Sequence, residues 1–416
     1  MTTAVAARYG TVVVGSGHAG TQVATSLLAG GYDRGVAVLT DETVLPYDRP
    51  ALSKTYLSGE HKFDDIVLRE PGFWESPGIA LRLGSAVVSV DPDRHEVATA
   101  DGTRLGYGTL IWAAGGSARR LDVPGAELDG VHAVRGWEDA RRLKDAARGA
   151  KSAVIVGGGY IGLESAAVLS ALGVAVTVVE VAERLLARVT GAVVADHLYQ
   201  RHNAAGVDFR LGVGVEEIVG DGVRATGVRL SSGETLFADI VLVGVGLVPN
   251  VDALARAGAR VGNGVEVDEM GRTSLTDVFA VGDSSNFPIP LFGGRRVRLE
   301  SVQNAVDQAK AVAAVLLGGT KPYDPVPWFW SHQYEVRLQT VGLLAGYDEF
   351  VVRGDPQSGR FSVIYLADST ILAIDAVNQA KDFLQGKSVV GSVFAGAREI
   401  LANPSRGLKD VVGVAA

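Results

Sequence analysis

The sequence has 416 residues, more than one hydrophobic core usually organises, and its 53 glycines and few aromatic residues are typical of an α/β protein with tight turns. Its net charge of −8 and the lack of a long Lys/Arg run argue against a nucleic-acid-binding protein, although a local basic patch remains open. It has no cysteine, which excludes disulfide reductases, cysteine nucleophiles, Cys-ligated clusters and typical structural zinc sites, so redox chemistry would require a bound organic cofactor.

The first predicted elements form a strand–helix–strand unit. Thr11–Gly15 is a β-branched strand that leads into Gly15-Ser-Gly17-His-Ala-Gly20, and an apolar helix follows to about Leu28. A second strand, Val36–Thr40, is followed by Asp41, 26 positions after the first glycine. This is near the roughly 20 positions expected for a carboxylate that binds a ribose hydroxyl in a dinucleotide site.

The same pattern occurs a second time. Ser152–Val156 is a strand, Gly157-Gly-Gly159-Tyr-Ile-Gly162 is the turn, Leu163–Leu172 is helical, and the strand Val174–Val179 ends at Glu180, 23 positions after Gly157. One G-x-G-x-x-G match is weak in a chain so rich in glycine. Two copies in the same context predict two dinucleotide sites, each with a pyrophosphate at a helix N-terminus.

The acidic residue of the second unit predicts the type of nicotinamide cofactor. A carboxylate at Glu180 accepts hydrogen bonds from the 2′-hydroxyl of NAD and repels the 2′-phosphate of NADP. Arg184 and Arg188 lie nearby in the sequence, and an arginine there can receive a 2′-phosphate. We predict NADH, with its strictness over NADPH left open.

A third segment places another carboxylate at a strand end. Asp239–Val245 is an apolar strand followed by a Gly246 turn, and further on an apolar strand ends in Gly282-Asp283. Two interpretations of Asp283 remain: a hydrogen bond to a sugar or ribityl hydroxyl, or the N-cap of a helix that begins near Ser301.

The sequence pattern changes after residue 322. Prolines at 322, 325 and 327 mark a boundary, and alternating patterns then predict antiparallel strands, with a closing helix around Val389–Asn403. The predicted strands are Val336–Val341, Glu349–Val352, Phe361–Leu366 and Thr370–Val377. The predicted fold class is therefore α/β with two Rossmann-like dinucleotide-binding domains and a smaller C-terminal α+β domain.

No targeting or membrane segment is predicted. Met1 to Arg8 lacks the apolar region of a signal peptide, and apolar runs such as Ile240–Val248 are shorter than the roughly 20 residues of a membrane span. We expect a cytoplasmic protein.

Seven motifs along the chain carry a resemblance to one family. They are GSGHAG at 15–20, LPYDRPALSK at 45–54, GGGYIGLE at 157–164, GVGLVPN at 244–250, VFAVGDS at 278–284, LESVQNA at 299–305 and WFWSHQY at 328–334. On these motifs the sequence resembles the putidaredoxin reductase-like FAD-dependent ferredoxin reductases of bacterial oxygenase systems. The resemblance covers nearly the whole chain. It implies an FAD-binding domain at 1–115 and 246–322, an NAD-binding domain at 116–245 and a C-terminal domain at 323–416.

The resemblance also implies an FAD site. Val87 would lie beside the adenine, Asp283 would bind the ribityl chain, and the Val302 N–H would point to the N1/O2 edge of the flavin, where charge accumulates on reduction. Arg49 and Arg135 would lie close to FAD, with ordinary surface ion pairs as the alternative. The full set is Gly15, Gly17, Ala19, Gly20, Asp41, Arg49, Lys54, Val87, Arg135, Asp283, Val302 and Trp330.

For hydride transfer the resemblance implies the pair Lys54 and Glu164. Lys54 would reach toward flavin N5 and pair with Glu164, so that a cation stabilises the reduced flavin; a buried structural ion pair is the alternative. The NAD-binding set is Gly157, Gly159, Tyr160, Ile161, Gly162, Glu164, Glu180, Arg184 and Gly246. No metal site is expected.

A partner surface is implied near the flavin edge. Trp330, with Trp328, would form a wall and docking surface for a [2Fe–2S] ferredoxin, with a core aromatic as the alternative. Family members often have Asp where this chain has His332, whose role stays open. An acidic ferredoxin calls for basic residues near this edge, and solvated surface charge is the alternative for each. The candidates are Arg295, Arg296, Arg298, Lys310 and Lys387.

The implied activity is hydride transfer from NADH to FAD, followed by single-electron transfer to a [2Fe–2S] ferredoxin that supplies a monooxygenase or dioxygenase. One alternative is an NADH-dependent reductase of rubredoxin, a quinone or another small acceptor, which would share the same dinucleotide sites. The other is a flavoprotein like the apoptosis-inducing factors, whose association with nucleic acid would need a basic surface that a chain at −8 lacks. The sequence does not indicate the oligomeric state.

Overall fold

The computed structural model describes residues 5–412. The expectation about Met1 to Arg8 therefore lies partly outside the described residues. Two compact units divide the chain: the first comprises Met1–Asp48, Phe63–Ser117 and Val248–Pro327, and the second comprises Arg49–Lys62, Ala118–Leu247 and Trp328–Ala416. Across 5–412, no helix is both long enough and apolar enough to span a bilayer.

The first unit is built on a parallel sheet. Its five parallel strands run in the order Ile79–Arg82, Val36–Leu39, Ala7–Val14, Arg104–Trp112 and Val278–Ala280. The strand Glu96–Thr99 pairs antiparallel with the first part of Arg104–Trp112, and Val87–Asp91 pairs antiparallel with Glu96–Thr99. Val13 lies opposite Val38 on one side and Ile111 on the other, and all three are fully buried. Such β-branched strands, apolar along their length, suit a sheet covered on both faces.

Two long helices cover this sheet. His18–Ala29 and Val302–Leu316 contribute alanines and valines to one core with the strands. The remaining helical turns are Asp64–Ile66, Pro71–Trp74, Asp252–Arg256, Gly282–Ser284 and Pro290–Phe292. The remaining strands are Val261–Gly262, Gly264–Glu266, Ser285–Ile289 and Arg295–Val297, and Gly116–Ala118 and Leu247–Pro249 lie where the chain passes between the units.

The second unit contains its own parallel sheet, in the order Asp208–Leu211, Ala175–Glu180, Ser152–Val156, Ile240–Val243 and Val131–His132. Its helices are Arg49–Ser53, Thr55–Ser58, Trp137–Ala147, Tyr160–Ala171 and Ala192–Ala204. A three-stranded antiparallel sheet, Val215–Gly220, Ala225–Leu230 and Thr235–Phe237, packs on the parallel sheet through Ile218 and Val228.

The C-terminal part of the second unit is a five-stranded antiparallel sheet. Its order is Trp328–Gln333, Val336–Gly342, Thr370–Val377, Arg360–Ala367 and Glu349–Asp355. The helices Ala380–Val389, Arg398–Ala402 and Leu408–Val412 and the turn Pro356–Ser358 complete it. Leu163, Leu198 and Phe361 belong to one core, so this sheet packs directly on the dinucleotide-binding part of the same unit.

The predicted fold class is confirmed, because each unit holds a parallel Rossmann-like sheet and the C-terminal part is α+β. The predicted helix around Val389–Asn403 is wrong over most of its length: the helix spans Ala380–Val389, and the next begins at Arg398. Gly391 has a φ of +90°, and Val393 forms a bridge with Thr370, so the intervening chain follows the sheet instead. The three-domain boundaries remain a prediction.

Candidate active site

The first dinucleotide turn leaves no room for side chains at two of its glycines. Gly15 has a φ of +102°, and a Cβ there would lie 2.2 Å from the Ala113 carbonyl oxygen. A Cβ at Gly20 would lie 1.9 Å from the Gly15 carbonyl oxygen. Gly17 caps the helix His18–Ala29, whose first amides have no acceptor within the helix. The turn therefore fits a pyrophosphate at a helix N-terminus.

Asp41 is placed to accept a hydroxyl. It is exposed just beyond the strand Val36–Leu39 and makes no hydrogen bond or ion pair with any other residue between 5 and 412. Its carboxylate therefore keeps all of its acceptor capacity, as a ribose-binding group requires.

Two of the predicted FAD residues, Ala19 and Asp283, lie on neighbouring turns of the first unit. The turn Gly282–Ser284 carries Asp283, and a Cβ at Gly282 would lie 3.0 Å from the Cβ of Ala19 and 3.7 Å from that of Ala305, near the start of the helix Val302–Leu316. The turn thus lies against the first turns of both long helices.

Gln308 and Ser301 fix this arrangement, and neither was predicted from the sequence as a site residue. Gln308 Oε1 accepts the Gly282 N–H and the Ser285 hydroxyl, both at 2.8 Å. Ser301 Oγ accepts the Asn304 N–H at 3.1 Å and so caps the helix. The alternative interpretation of Asp283 as the cap is therefore wrong, because strands lie between it and the helix.

The other predicted FAD residues are divided between the units. Val87 is half-buried at the start of a strand in the first unit, whereas Arg49, Lys54, Arg135 and Trp330 belong to the second. Arg49 donates to the carbonyl of Arg135 at 2.9 Å, which joins these two residues directly.

The second dinucleotide turn repeats the constraints of the first. Gly157 has a φ of +113°, and a Cβ there would lie 2.4 Å from the Gly244 carbonyl oxygen. A Cβ at Gly162 would lie 2.1 Å from the Gly157 carbonyl oxygen, whereas a Cβ at Gly159 would meet nothing within 4 Å. Gly159 also caps the helix Tyr160–Ala171. The middle glycine thus faces open space at a helix N-terminus, which fits a second pyrophosphate.

Glu180 is held by the backbone. Its Oε2 accepts the Gly158 N–H at 2.7 Å, and its Oε1 accepts the Ala182 N–H at 2.8 Å. Each carboxylate oxygen has two lone pairs, so the group can still accept ribose hydroxyls.

The two nearby arginines differ. The guanidinium of Arg184 donates to the carbonyls of Leu185, Thr190 and Ala187, so it holds its own segment. Arg188 is exposed, has no hydrogen-bond partner within the described chain, and its Nη2 would lie 4.0 Å from a Cβ at Gly246.

Tyr160 and Ile161 begin the second dinucleotide helix. The Tyr160 ring lies 4.5 Å from that of Phe329, and burial raises the pKa of Tyr160 well above its usual range, so its phenol stays protonated. Ile161 is largely exposed. Gly246, with a φ of +112°, accepts the Arg119 N–H through its carbonyl at 2.9 Å.

Lys54 and Glu164 meet within the second unit. The distance from Lys54 Nζ to Glu164 Oε2 is 2.6 Å, and the side chains are 18% and 4% exposed. Two hydroxyls, which sequence reasoning missed, also bind this carboxylate: Ser53 Oγ donates to Oε2 at 2.7 Å and Ser331 Oγ to Oε1 at 2.6 Å. The result is an ammonium–carboxylate pair in which both carboxylate oxygens accept hydrogen bonds.

His332 lies on the exposed side of the strand Trp328–Gln333. Partial burial lowers the pKa of His332, and Lys54 and Arg337 act in the same direction. The imidazole is therefore neutral near pH 7, where an aspartate would be charged.

A buried carboxylate anchors the segment that follows Glu180. Asp375 accepts the hydroxyls of Thr190, Thr340 and Tyr365, and the Tyr365 hydroxyl accepts the Gly191 N–H at 3.1 Å. Burial raises the pKa of Asp375. The C-terminal sheet thereby fixes the end of the segment that carries Arg184.

The basic residues proposed for docking have different environments. Arg295 is exposed, whereas Arg296 donates to the carbonyls of Val267 and Asn286. Arg298 has a side chain only 9% exposed and is bound to Asn263, Glu300 and the Asp283 carbonyl. Arg298 therefore supports the turn at Asp283 rather than offering a surface charge.

Most of the other docking candidates are in the C-terminal part of the second unit, with Trp328 and Trp330 on a strand and Lys387 on the helix Ala380–Val389. Lys387 Nζ lies 4.1 Å from the ring centroid of Trp328, which is 5.5 Å from that of Trp330. Trp330 is half-buried, so it is not a core aromatic. Lys310, in the first unit, is exposed and lies 3.6 Å from an oxygen of Asp307. No group of three or more potential ligand side chains is placed to hold a metal ion among residues 5–412.

Comparison with known families matches residues 9–309 to the family described as pyridine nucleotide-disulphide oxidoreductase and residues 328–412 to the reductase C-terminal family. A ferredoxin reductase subunit of 5,5′-dehydrodivanillate O-demethylase from Sphingobium sp. is 48% identical, over 96% of this chain and 97% of its own length.

Two solved structures are similar over nearly the whole chain. The ferredoxin reductase for the CYP199A2 system of Rhodopseudomonas palustris has a TM-score of 0.93 at 40% identity and covers 98% of this chain and 100% of its own. The covalent putidaredoxin reductase–putidaredoxin complex gives a TM-score of 0.93 at 36% identity, with 99% of both chains covered.

Proposed function

The chain belongs to the pyridine nucleotide-disulphide oxidoreductase family, and we propose from this premise that it is an FAD-dependent NADH:ferredoxin oxidoreductase of an oxygenase system. The observation that carries the proposal is the duplicated dinucleotide turn, each copy with a helix N-terminus and a strand-end carboxylate. The disulfide chemistry in the family's name is excluded here, because the chain has no cysteine.

The residues of the first unit fit FAD. Bound FAD supplies a group that accepts a hydride and releases its electrons one at a time. Gly15 and Gly20 allow the tight turn, because a side chain at either would collide with backbone, and Gly17 caps the helix whose N-terminal amides would face the pyrophosphate. Asp41 makes no hydrogen bond or ion pair within residues 5–412 and would accept a ribose hydroxyl. The amide of Val302, at a capped helix N-terminus, would place positive potential at the flavin edge that becomes electron-rich.

The residues of the second unit fit NADH. Glu180, fixed by two backbone amides, would accept ribose hydroxyls and repel a 2′-phosphate. The guanidinium of Arg184 donates to three carbonyls and would have to break those hydrogen bonds to bind a phosphate. Of the two arginines, Arg188 is therefore the better candidate to bind a 2′-phosphate. We place the reaction in the cytoplasm, where NADH is produced.

Lys54 and Glu164 would act at the hydride step. Hydride transfer itself needs no acid or base, so the contribution of the pair is charge and orientation. The Lys54 ammonium, kept in place by Glu164, would stabilise the negative charge that develops on the flavin.

The partner would be a [2Fe–2S] ferredoxin. The structural relative bound covalently to putidaredoxin supports an iron–sulfur protein as acceptor. Trp330, Trp328 and Lys387 form a half-buried aromatic and cationic group that suits an acidic partner. Raising the ionic strength should lower ferredoxin-dependent turnover, because salt screens exposed charges. Turnover that does not change with salt would show that the ferredoxin does not dock through these charges.

The experiment is a panel of acceptors. The FAD-loaded protein and NADH are mixed with [2Fe–2S] ferredoxins, rubredoxin or a quinone, and the initial rate of acceptor reduction is measured. We expect the highest kcat/KM with one ferredoxin. Preference for rubredoxin or a quinone would move the acceptor to the alternative class while leaving the flavin chemistry intact.

A further inference from the structure

A line of buried hydrogen-bond donors leads from Glu164 into the protein, on the side away from Lys54. Ser331 Oγ lies 2.6 Å from Glu164 Oε1, Gln333 Nε2 lies 3.1 Å from Ser331 Oγ, and His202 Nε2 lies 2.8 Å from Gln333 Oε1. These side chains belong to residues that are 3%, 1%, 2% and 0% exposed, in that order from Glu164. Buried polar groups arranged in series in this way polarise one another.

The direction of every bond in this line follows from chemistry. An ionised carboxylate only accepts, so the single proton of Ser331 points to Glu164. The Ser331 oxygen must then accept from the amide NH₂ of Gln333, which turns the Gln333 carbonyl toward His202. His202 therefore carries its proton on Nε2.

His202 is neutral in this arrangement. Burial lowers the pKa of His202, an effect that the Gln333 hydrogen bond opposes only in part, and its Nδ1 is buried without a hydrogen-bond partner within residues 5–412. A charged imidazolium would leave a buried donor unsatisfied at that nitrogen. The line thus delivers aligned dipoles to Glu164 and no net charge.

Three rigid elements fix the line. Glu164 stands on the helix Tyr160–Ala171, Ser331 and Gln333 on the inner side of the strand Trp328–Gln333, and His202 on the helix Ala192–Ala204. Without the Ser331 hydroxyl, Glu164 Oε1 would be a buried anionic oxygen without a donor, and the carboxylate could rotate away from Lys54.

We propose that Ser331, Gln333 and His202 are positioning residues that hold the orientation and charge of Glu164 and, through it, of the Lys54 ammonium. The inference rests on the proposed function, because the Lys54–Glu164 pair has a catalytic role only there. In this proposal the three residues act through Glu164, to which Ser331 donates directly.

Four variants test the line. Ser331→Ala removes the donor, and Ser331→Thr keeps a hydroxyl. Gln333→Glu is nearly isosteric but can only accept when ionised, so it competes with Glu164 for the Ser331 proton. Ser362→Ala is the matched control, because Ser362 is a buried hydroxyl in the same sheet that donates to another carboxylate, Asp382, at 2.9 Å.

The first measurement is stopped-flow reduction of the FAD-loaded variants by NADH. Ser331→Ala and Gln333→Glu should lower the limiting rate about tenfold, the effect of losing one hydrogen bond to a charged group. The NADH concentration for half-maximal rate should not change, Ser331→Thr should recover most of the rate, and Ser362→Ala should match the wild type. Equal limiting rates in Ser331→Ala and Ser362→Ala would overturn the proposal. Gln333→Glu keeps this test available if Ser331→Ala does not fold.

The second measurement does not depend on activity. In ¹⁵N-histidine-labelled wild-type protein with FAD bound, His202 should show a neutral ring with its proton on Nε2. A neutral ring with its proton on Nδ1, or a charged ring, would contradict the direction of the line. If NADH fails to reduce the wild-type flavin, the proposed function itself is refuted and the catalytic role of the line falls with it, whatever the spectrum shows.

Discussion

Replacing both members of the Lys54–Glu164 pair separates a catalytic role from a structural one. In Lys54→Met, Glu164 keeps its two serine donors but loses the cation at 2.6 Å, in a site where its side chain is 4% exposed. Breaking a buried pair costs about 3–5 kcal/mol. Because two donors remain and Lys54 is partly exposed, we expect a loss of about 2–3 kcal/mol in the free energy of unfolding.

Adding Glu164→Gln to Lys54→Met removes the unpaired charge. The free energy of unfolding of the double variant should be within about 1 kcal/mol of the wild-type value, since a neutral pair of similar volume replaces the ions. Its flavin should still be reduced slowly by NADH, because the ammonium is absent from both variants. Urea unfolding with saturating FAD and stopped-flow reduction measure the two effects. A double variant that recovers both stability and reduction rate would show that the pair is only structural.

Three further predictions concern other residues. Glu180→Ala should lower kcat/KM for NADH and so reduce the ratio of kcat/KM for NADH to kcat/KM for NADPH. An unchanged ratio in steady-state assays would show that Glu180 does not determine the cofactor specificity. Because burial raises the pKa of Asp375 above the unfolded value of about 3.9, ionisation costs stability, so the wild type should lose stability relative to Asp375→Asn as the pH rises above about 4. If the difference between the denaturant midpoints of the two proteins stayed constant with pH, this prediction would be contradicted. Arg353 is fully buried and bound to Asp382 and three C-terminal carbonyls, so Arg353→Leu should cost about 3–5 kcal/mol, whereas exposed Arg120→Ala should cost under about 1 kcal/mol in the same urea titration; similar losses would refute the reasoning.

Local backbone chemistry made the dinucleotide units predictable. The pattern that identifies each unit lies within about 25 residues: a β-branched strand, glycines at fixed spacing, and an acidic residue after the next strand. The strand Ser152–Val156, for example, has its predicted bounds. The closing helix was harder, because the bridge of Val393 to Thr370 is a long-range contact that no local pattern contains.

Side-chain partnerships were the least predictable part of the site. Ser53 and Ser331 reach Glu164 from elements more than 100 positions away in the sequence, so their role depends on the tertiary fold. The alternation in Trp328–Gln333 does offer one signal: it places two polar residues, Ser331 and Gln333, on the inner side of a strand, where polar groups need partners. Arg184 shows the reverse, since proximity to Glu180 suggested a phosphate ligand and the fold instead uses it to hold carbonyls.

The central claim is that electrons pass from NADH through FAD to an iron–sulfur protein. Its most direct test is double-mixing stopped flow: the yellow protein is first bleached by one equivalent of NADH, and a [2Fe–2S] ferredoxin is then added. The account predicts rapid bleaching, then return of the flavin absorbance at the same rate as ferredoxin reduction, with two ferredoxins reduced per flavin. Bleaching that is not followed by electron transfer to any ferredoxin would contradict it.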